Sequence, residues 1–114
     1  WAETTGYLDV KDPWISMAKT YGQIILNNNL KHRLDLMKKM IKTYSVDGMV
    51  MHSTRSCKPY SVGQFDLRKA ITADLDLPAV ILDADIADER VWSEQQIHTR
   101  LEAFCETLEG SKFG

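Results

Sequence analysis

The residue of this chain best suited to chemistry is Cys57, which lies between Arg55 and Lys58 in the polar segment 52–60. Neighbouring positive charge favours the thiolate, the form of cysteine that ligates metals and attacks electrophiles. A helix predicted to start just after Cys57 would add to this, because a helix N-terminus carries partial positive charge. The pattern therefore allows metal ligation or nucleophilic attack, and an incidental loop cysteine is the alternative to both.

Two possible partners of Cys57 are weaker signals. His52 is a candidate base, but the sequence places no carboxylate to orient its ring, so a positional or hydrogen-bonding role is favoured. Cys105 falls on the apolar stripe of the last predicted helix, where a buried core thiol is expected. That helix would place Cys105 far from Cys57, so neither a disulfide nor a shared metal is expected between them.

The elements that position Cys57 are two short apolar runs with a helix between them. Residues 49–51 and 79–82 are typical of strands buried on both faces. Ser61 and Gln64 form a predicted capping box that starts the intervening helix, which ends near residue 76. A strand, a helix and a strand in this order predict a βαβ unit with parallel strands.

Apolar residues spaced by three and four predict further helices over residues 13–22, 30–44 and 93–110. The first of these would bury Trp14, Met17 and Tyr21. The sequence therefore predicts a helix-rich α/β domain with two clear parallel strands, part of an open three-layer parallel sheet of the Rossmann or flavodoxin-like kind. Two strands are few for such a sheet, so another is expected in residues 1–11, in residues 23–26 or outside this chain.

Composition limits the classes of function. A chain of 114 residues forms one domain, here 1–114, with 44% hydrophobic and 26% charged residues, as in ordinary soluble proteins. Its net charge of -2 offers no basic excess for nucleic acid. The sequence holds no apolar run long enough for a membrane span and no visible secretory signal, so a cytoplasmic location is expected.

Ligands of open α/β sheets bind at the carboxyl ends of the strands, where two loops are predicted, at 52–60 and 83–92. The second loop holds three aspartates, Asp83, Asp85 and Asp88. They would form a Mg²⁺ site or, in the favoured interpretation, cap helices and pair with the nearby Arg90.

The segment 52–64, HSTRSCKPYSVGQ, resembles the signature of the 2-hydroxyacyl-CoA dehydratase family, which includes 2-hydroxyglutaryl-CoA dehydratase D-component and benzoyl-CoA reductase subunits. The likeness extends over about residues 30–109. Its flanking matches are VDG at 46–48, LP at 77–78, LDAD at 82–85 and DER at 88–90.

The resemblance implies a subunit of α/β domains that pairs with a homologous sister subunit and holds a [4Fe-4S] cluster through scattered cysteines. Cys57 matches one ligand position. Candidates for roles around the cluster or on the substrate side are His52, Arg55, Ser56 and Lys58. A separate ATP-dependent iron–sulfur activator would inject one electron into the (R)-2-hydroxyacyl-CoA substrate, such as 2-hydroxyglutaryl-CoA. The resulting ketyl radical would lose water, a lyase reaction of anaerobic metabolism.

The chain departs from this family in length and in cysteine content. Family subunits are several times longer, and one thiolate cannot hold four irons. The chain is therefore expected to be the C-terminal fragment of an enzyme subunit, inactive and without a stable cluster on its own. Two alternatives stay open: a benzoyl-CoA reductase-type subunit that reduces an aromatic acyl-CoA, and a non-catalytic α/β binding module.

Overall fold

The computed structural model describes residue 6 and residues 8–112. Its helices and strands follow in the order α1 Pro13–Gly22, α2 Leu30–Tyr44, β1 Met49–Thr54, α3 Lys58–Ser61, α4 Gln64–Leu75, β2 Ala79–Ala84 and α5 Glu94–Lys112. The strands β1 and β2 pair in parallel, with Met49 opposite Ala79 and Thr54 opposite Ala84. The predicted α/β class with two parallel strands is confirmed.

Helices lie on both faces of this small sheet. On one face, Met51 of β1 and Ile81 of β2 form a buried cluster with Leu67 of α4, and α2 packs against the cluster. On the other face lies α5, so close to the start of β1 that a Cβ at Gly48 would be 2.5 Å from Leu108 Cδ2. Side chains alternate between the faces of a strand, so these contacts define three layers.

The prediction that the strands are buried on both faces was wrong for β1. Met51 is 6% exposed, whereas its neighbour Val50, on the opposite face, is 50% exposed. The reason is that α5 packs mainly against β2 and leaves β1 uncovered on that side. Residues 23–26 are not a strand either, because a 3₁₀ helix occupies Ile25–Asn27. In the described part of residues 1–11 no strand is present; the remainder lies outside the described residues.

Helix α1 begins at Pro13, directly after Asp12, as predicted. Its predicted buried face is exposed: Trp14 is 80% and Tyr21 is 52% accessible. The helix packs closely on no other described helix or strand, so its apolar side is left largely exposed. The extended shape agrees, since the Cα radius of gyration is 16.9 Å, against about 13 Å for a compact domain of this length.

The helix ends follow the predictions only in part. Asn29 caps α2, where its side chain accepts the His32 N–H at 3.0 Å. Ser61 does not cap α4. It is the last residue of α3, and α4 begins after Gly63, whose φ is 83°. At the other end of the chain, α5 runs through Gly110 to Lys112, beyond its predicted end. No helix within residues 6 and 8–112 has the length and apolar character to cross a membrane.

Candidate functional site

Cys57 lies at the carboxyl end of β1 in a turn that hydrogen bonds hold on both sides. Its N–H donates to the Thr54 carbonyl at 3.1 Å. Its own carbonyl accepts from the Ser61 N–H at 3.0 Å and from Ser61 Oγ at 3.0 Å. The thiol is free and partly exposed, so the turn presents a positioned, accessible sulfur.

Asp85 joins this turn to the loop after β2. The Ser56 N–H donates to Asp85 Oδ2 at 2.6 Å, and Ser56 Oγ donates to Oδ1 at 2.9 Å. The Ala87 N–H also donates to Oδ1, at 2.9 Å. The Ala87 bond, followed by the two from Ser56, lowers the pKa of Asp85 below the ordinary aspartate value of 3.8. An anionic carboxylate therefore anchors the residue that precedes Cys57.

Sequence reasoning did not identify this bridge between Ser56 and Asp85, which lie 29 positions apart. The bridge follows from the parallel register, which sets Thr54 opposite Ala84 and so brings the two following turns together. Register depends on how two strands meet in space, and spacing along the chain does not reveal it.

The two cations that flank Cys57 in the sequence, Arg55 and Lys58, are both exposed. Arg55 lies in a loop, and Lys58 lies at the start of a helix. Arg55 lines a cavity of about 100 Å³ with Asp83 and Arg100. Lys58 opens α3, which has only four residues. The helix dipole expected behind Cys57 is correspondingly small, because few peptide dipoles are aligned in so short a helix.

The structure does not bring His52 and Cys57 together as a catalytic pair. The ring Nδ1 of His52 lies 3.4 Å from Thr54 Oγ1, and the His52 carbonyl accepts from Gln64 Nε2 at 2.7 Å. Among the described residues, no carboxylate is hydrogen-bonded to the His52 ring, and no hydrogen bond joins His52 to Cys57. This arrangement supports the hydrogen-bonding role that the sequence favoured for His52.

The prediction that Cys105 is buried was wrong, because its side chain is exposed. The buried residue of this turn of α5 is Phe104, 9% exposed. The next residue along the helix, Cys105, points away from the sheet, which is only two strands wide. Leu108, near Cys105, approaches Gly48 at the amino end of β1, so Cys105 lies at the opposite end of the sheet from Cys57. Both thiols are free, as predicted.

In the acidic loop, Asp88 is paired within the loop itself. Asp88 accepts from Arg90 Nε and Nη2 at 2.8 Å each. This pairing lowers the pKa of Asp88 and raises that of Arg90. The favoured interpretation of the loop is confirmed for Asp88, which pairs with Arg90, whereas Asp85 bonds Ser56 and Ala87 instead. Across the described residues, no group of three or more His, Cys, Asp or Glu side chains is placed to hold a metal ion. Cys57 fits as one sulfur ligand of a metal centre, since its thiol is free and partly exposed.

Comparison with known proteins places this turn in a family. Residues 1–108 match the family model described as 2-hydroxyglutaryl-CoA dehydratase, D-component. The chain is 29% identical over 106 residues to a benzoyl-CoA reductase subunit of Thauera aromatica, covering 93% of this chain and 24% of the relative. It is 34% identical over 96 residues to the lactoyl-CoA dehydratase alpha subunit of Anaerotignum propionicum, covering 84% and 23%.

A third relative is the (R)-2-hydroxyglutaryl-CoA dehydratase alpha subunit of Acidaminococcus fermentans, 33% identical over 72 residues, which are 63% of this chain and 15% of the relative. The chain thus spans a quarter or less of the length of these curated relatives. Because the family match covers nearly the whole chain, the resemblance seen in segment 52–64 is confirmed. The chain belongs to the 2-hydroxyglutaryl-CoA dehydratase D-component family.

Proposed function

We propose that this chain is the C-terminal domain of an iron–sulfur subunit of a 2-hydroxyacyl-CoA dehydratase, in which Cys57 is one thiolate ligand of a [4Fe-4S] cluster. The observation that carries the proposal is the turn around Cys57. A free, partly exposed thiol stands at the sheet edge where α/β proteins bind ligands, on a backbone held by Thr54, Ser61 and Asp85. Membership of the family supplies the chemical context.

Each residue of the turn has a defined task in this proposal. Thr54 and Ser61 hold the Cys57 backbone, and Asp85 holds Ser56, so the sulfur needs little reorganisation to bind iron. Arg55 and Lys58 flank Cys57 in the sequence and bring positive charge to this turn. The N–H groups and hydroxyls around a ligating sulfur tune the properties of the metal centre. When bound, the cluster supplies low-potential one-electron transfer.

The remaining assignments follow from the family resemblance of the sequence and from its composition, and they stay part of the proposal. The subunit would pair with a homologous sister subunit, accept an electron from an ATP-dependent iron–sulfur activator and act on an acyl-CoA in the cytoplasm. Nucleic acid and membranes are not among the predicted partners. The isolated chain would be inactive and bind no stable cluster, because a [4Fe-4S] centre is held by several thiolates and this turn offers one.

A benzoyl-CoA reductase-type subunit is the second candidate, because a benzoyl-CoA reductase subunit matches 93% of this chain at 29% identity. Dehydratase relatives reach a higher identity, 34%, and a larger share of this chain, 98%, which favours the dehydratase. Incubating the activated enzyme with a panel of (R)-2-hydroxyacyl-CoA thioesters and with benzoyl-CoA separates the two, since the dehydratase releases an enoyl-CoA and the reductase a cyclic diene thioester.

The experiment that tests the proposal compares two cysteine variants of the intact subunit, co-expressed with its sister and purified without oxygen. Cys57→Ala is expected to lower the iron and sulfide content or change the EPR spectrum of the reduced cluster. Cys105→Ala is the matched control and is expected to leave both unchanged, because Cys105 lies exposed at the other end of the sheet. An unchanged iron content and spectrum in Cys57→Ala would contradict the proposal and favour the non-catalytic binding module.

A further inference from the structure

We infer that the free edge of β1 pairs with a further parallel strand, supplied by the part of the subunit that lies outside this chain. The hydrogen bonds of the sheet define this edge. The Met49 N–H donates to Pro78 at 2.9 Å and the Arg55 N–H to Ala84 at 3.2 Å. In a parallel ladder, alternate residues of a strand bond to the same neighbour. Val50 and His52 therefore direct their backbone groups away from β2.

Part of this outward row already has partners. The His52 carbonyl accepts from Gln64 Nε2 at 2.7 Å, and the Thr54 carbonyl accepts from the Cys57 N–H at 3.1 Å. Among the described residues, nothing bonds the N–H or C=O of Val50 or the N–H of His52. Such a row of free groups is a template for another strand.

Gln64 provides a second, independent sign of a missing neighbour. Its side chain is 6% exposed, and its buried Oε1 has no hydrogen-bond partner within the described part of the chain. A buried acceptor without a donor is costly, and most such groups in native proteins are satisfied. Because Gln64 Nε2 already bonds the His52 carbonyl, the amide extends the ladder outward from β1. An N–H of an incoming strand would satisfy Oε1.

The space beside this edge suits an apolar strand. Gln64 lines a cavity of about 200 Å³ next to β1, with mainly apolar walls. Its apolar side chains include Ile25, Leu26, Met37 and Leu67. The one arginine at this cavity, Arg33, is already engaged, since Nε donates to Ile25 O at 3.0 Å and Nη2 to Pro59 O at 2.9 Å. A strand entering here meets a guanidinium whose Nε and Nη2 are already bonded to carbonyl oxygens.

The free edge of β2 is larger but protected. The groove beside it measures about 1060 Å³ and has apolar walls as well. However, Arg100 Nη1 donates to the Ile81 carbonyl at 3.0 Å, in the middle of the edge. Arg68 and Lys69 line the same groove. A guanidinium bonded to the edge carbonyl, with further positive charge from α4 beside it, opposes pairing with another chain, so β2 is the outer strand and β1 the inner one.

The occupant that we assign to the β1 edge is a segment of the same subunit. This assignment rests on the proposed function, in which the chain is one part of a longer protein. The matched region is 24% of the benzoyl-CoA reductase relative, so most of that protein lies outside it. A second copy related by a twofold axis would pair β1 with itself in antiparallel fashion, whereas sheets that are parallel throughout are favoured over mixed ones.

Hydrogen exchange of the full-length subunit, resolved by residue, tests the inference, because the two edges serve as each other's control. We expect the Val50 and His52 amides to exchange roughly a hundredfold more slowly than those of Ile81 and Asp83, as for bonded against unbonded strand amides. Fast exchange at Val50 and His52 would overturn the inference. Protection that appears only at high protein concentration would assign the edge to a second copy and overturn it as well.

A pair of proline variants gives an independent reading. Val50→Pro removes an N–H that faces away from β2, and Val50 is half exposed, so little packing is lost. Asp83→Pro does the same on the outer edge of β2. We expect Val50→Pro to speed exchange at His52 and lower the Tm of the subunit, with a much smaller effect of Asp83→Pro. Equal effects would contradict the inference. Neither readout involves iron, so the result is separate from that of Cys57→Ala.

Discussion

Cys57 and Cys105 are both free thiols, yet they stand in opposite settings. Cys57 lies in a turn whose backbone is bonded to β1, to α3 and, through Ser56, to the loop after β2. Cys105 lies on the outer face of α5, where its backbone only continues a helix. The first sulfur is part of a tertiary junction of three segments, and the second is a surface side chain.

This contrast shows what makes a cysteine suitable for a site. Exposure alone would favour Cys105, which is the more accessible of the two. Position favours Cys57, because several independent bonds converge on its turn at the carboxyl edge of the sheet. A ligand needs a sulfur held in one place, and convergent bonds provide that. Four changes test this contrast, because each alters the surroundings of one thiol and not of the other. They follow in order of decreasing expected effect.

The largest effect is expected from Gly63→Ala, near the Cys57 turn. Gly63 has a φ of 83°, and an added Cβ would lie 2.9 Å from Leu30 Cδ1. The left-handed conformation alone costs a non-glycine residue roughly 1–2 kcal/mol. We expect a lower urea midpoint and faster alkylation of Cys57, with the Cys105 rate unchanged. Equal acceleration at both thiols would show that the whole fold is destabilised and would contradict a local effect at Cys57.

Gly48→Ala is the matching change on the Cys105 side. Its Cβ would lie 2.5 Å from Leu108 Cδ2 and 2.9 Å from Phe104 Cζ, so α5 must shift. Overpacking of this kind costs roughly 1–3 kcal/mol, with the lower part expected here because both contacts are side-chain ends. We expect faster hydrogen exchange in the second half of α5 and an unchanged alkylation rate at Cys57. A faster Cys57 reaction would mean that the two regions are coupled.

Asp85→Ala removes the carboxylate that accepts from Ser56 and Ala87. We expect alkylation of Cys57 to become several-fold faster, because the turn opens more often, and the urea midpoint to change little. Asp88→Ala is the matched control from the same loop, since Asp88 bonds Arg90 and not Ser56. If both variants accelerate Cys57 equally, the loop as a whole and not the Asp85 bridge holds the turn.

The smallest expected effect is a pH dependence of the Cys57 turn. The folded-state pKa of Asp85 is below 3.8, because the Ala87 N–H and then Ser56 bond its anionic form. A depressed carboxyl pKa adds stability above the unfolded value, and this contribution is lost as the pH falls below 3.8 through the folded pKa. With a pyridyl disulfide reagent that works in acid, we expect the modification rate of Cys57 to rise relative to that of Cys105 in this acidic range. Asp85→Ala should abolish this difference.

Much of the local structure was predictable from the sequence. Neighbours along the chain decide the start of α1 at Pro13, the Asn29 cap of α2 and the pairing of Asp88 with Arg90. The apolar runs predicted both strands, and a helix between them left parallel pairing as the outcome. Position after a parallel strand marked the Cys57 turn as a candidate site, and the segment 52–64 pointed to the family.

Contacts between distant segments were beyond such reasoning. The anchor of Ser56 on Asp85 follows from the register of two strands, and the use of Gln64 to bond His52 and not to cap α4 follows from how α4 crosses β1. The exposure of Trp14 and Cys105 has the same origin. A helical stripe of apolar residues states which face prefers to be buried, and whether another element is there to bury it depends on packing in three dimensions.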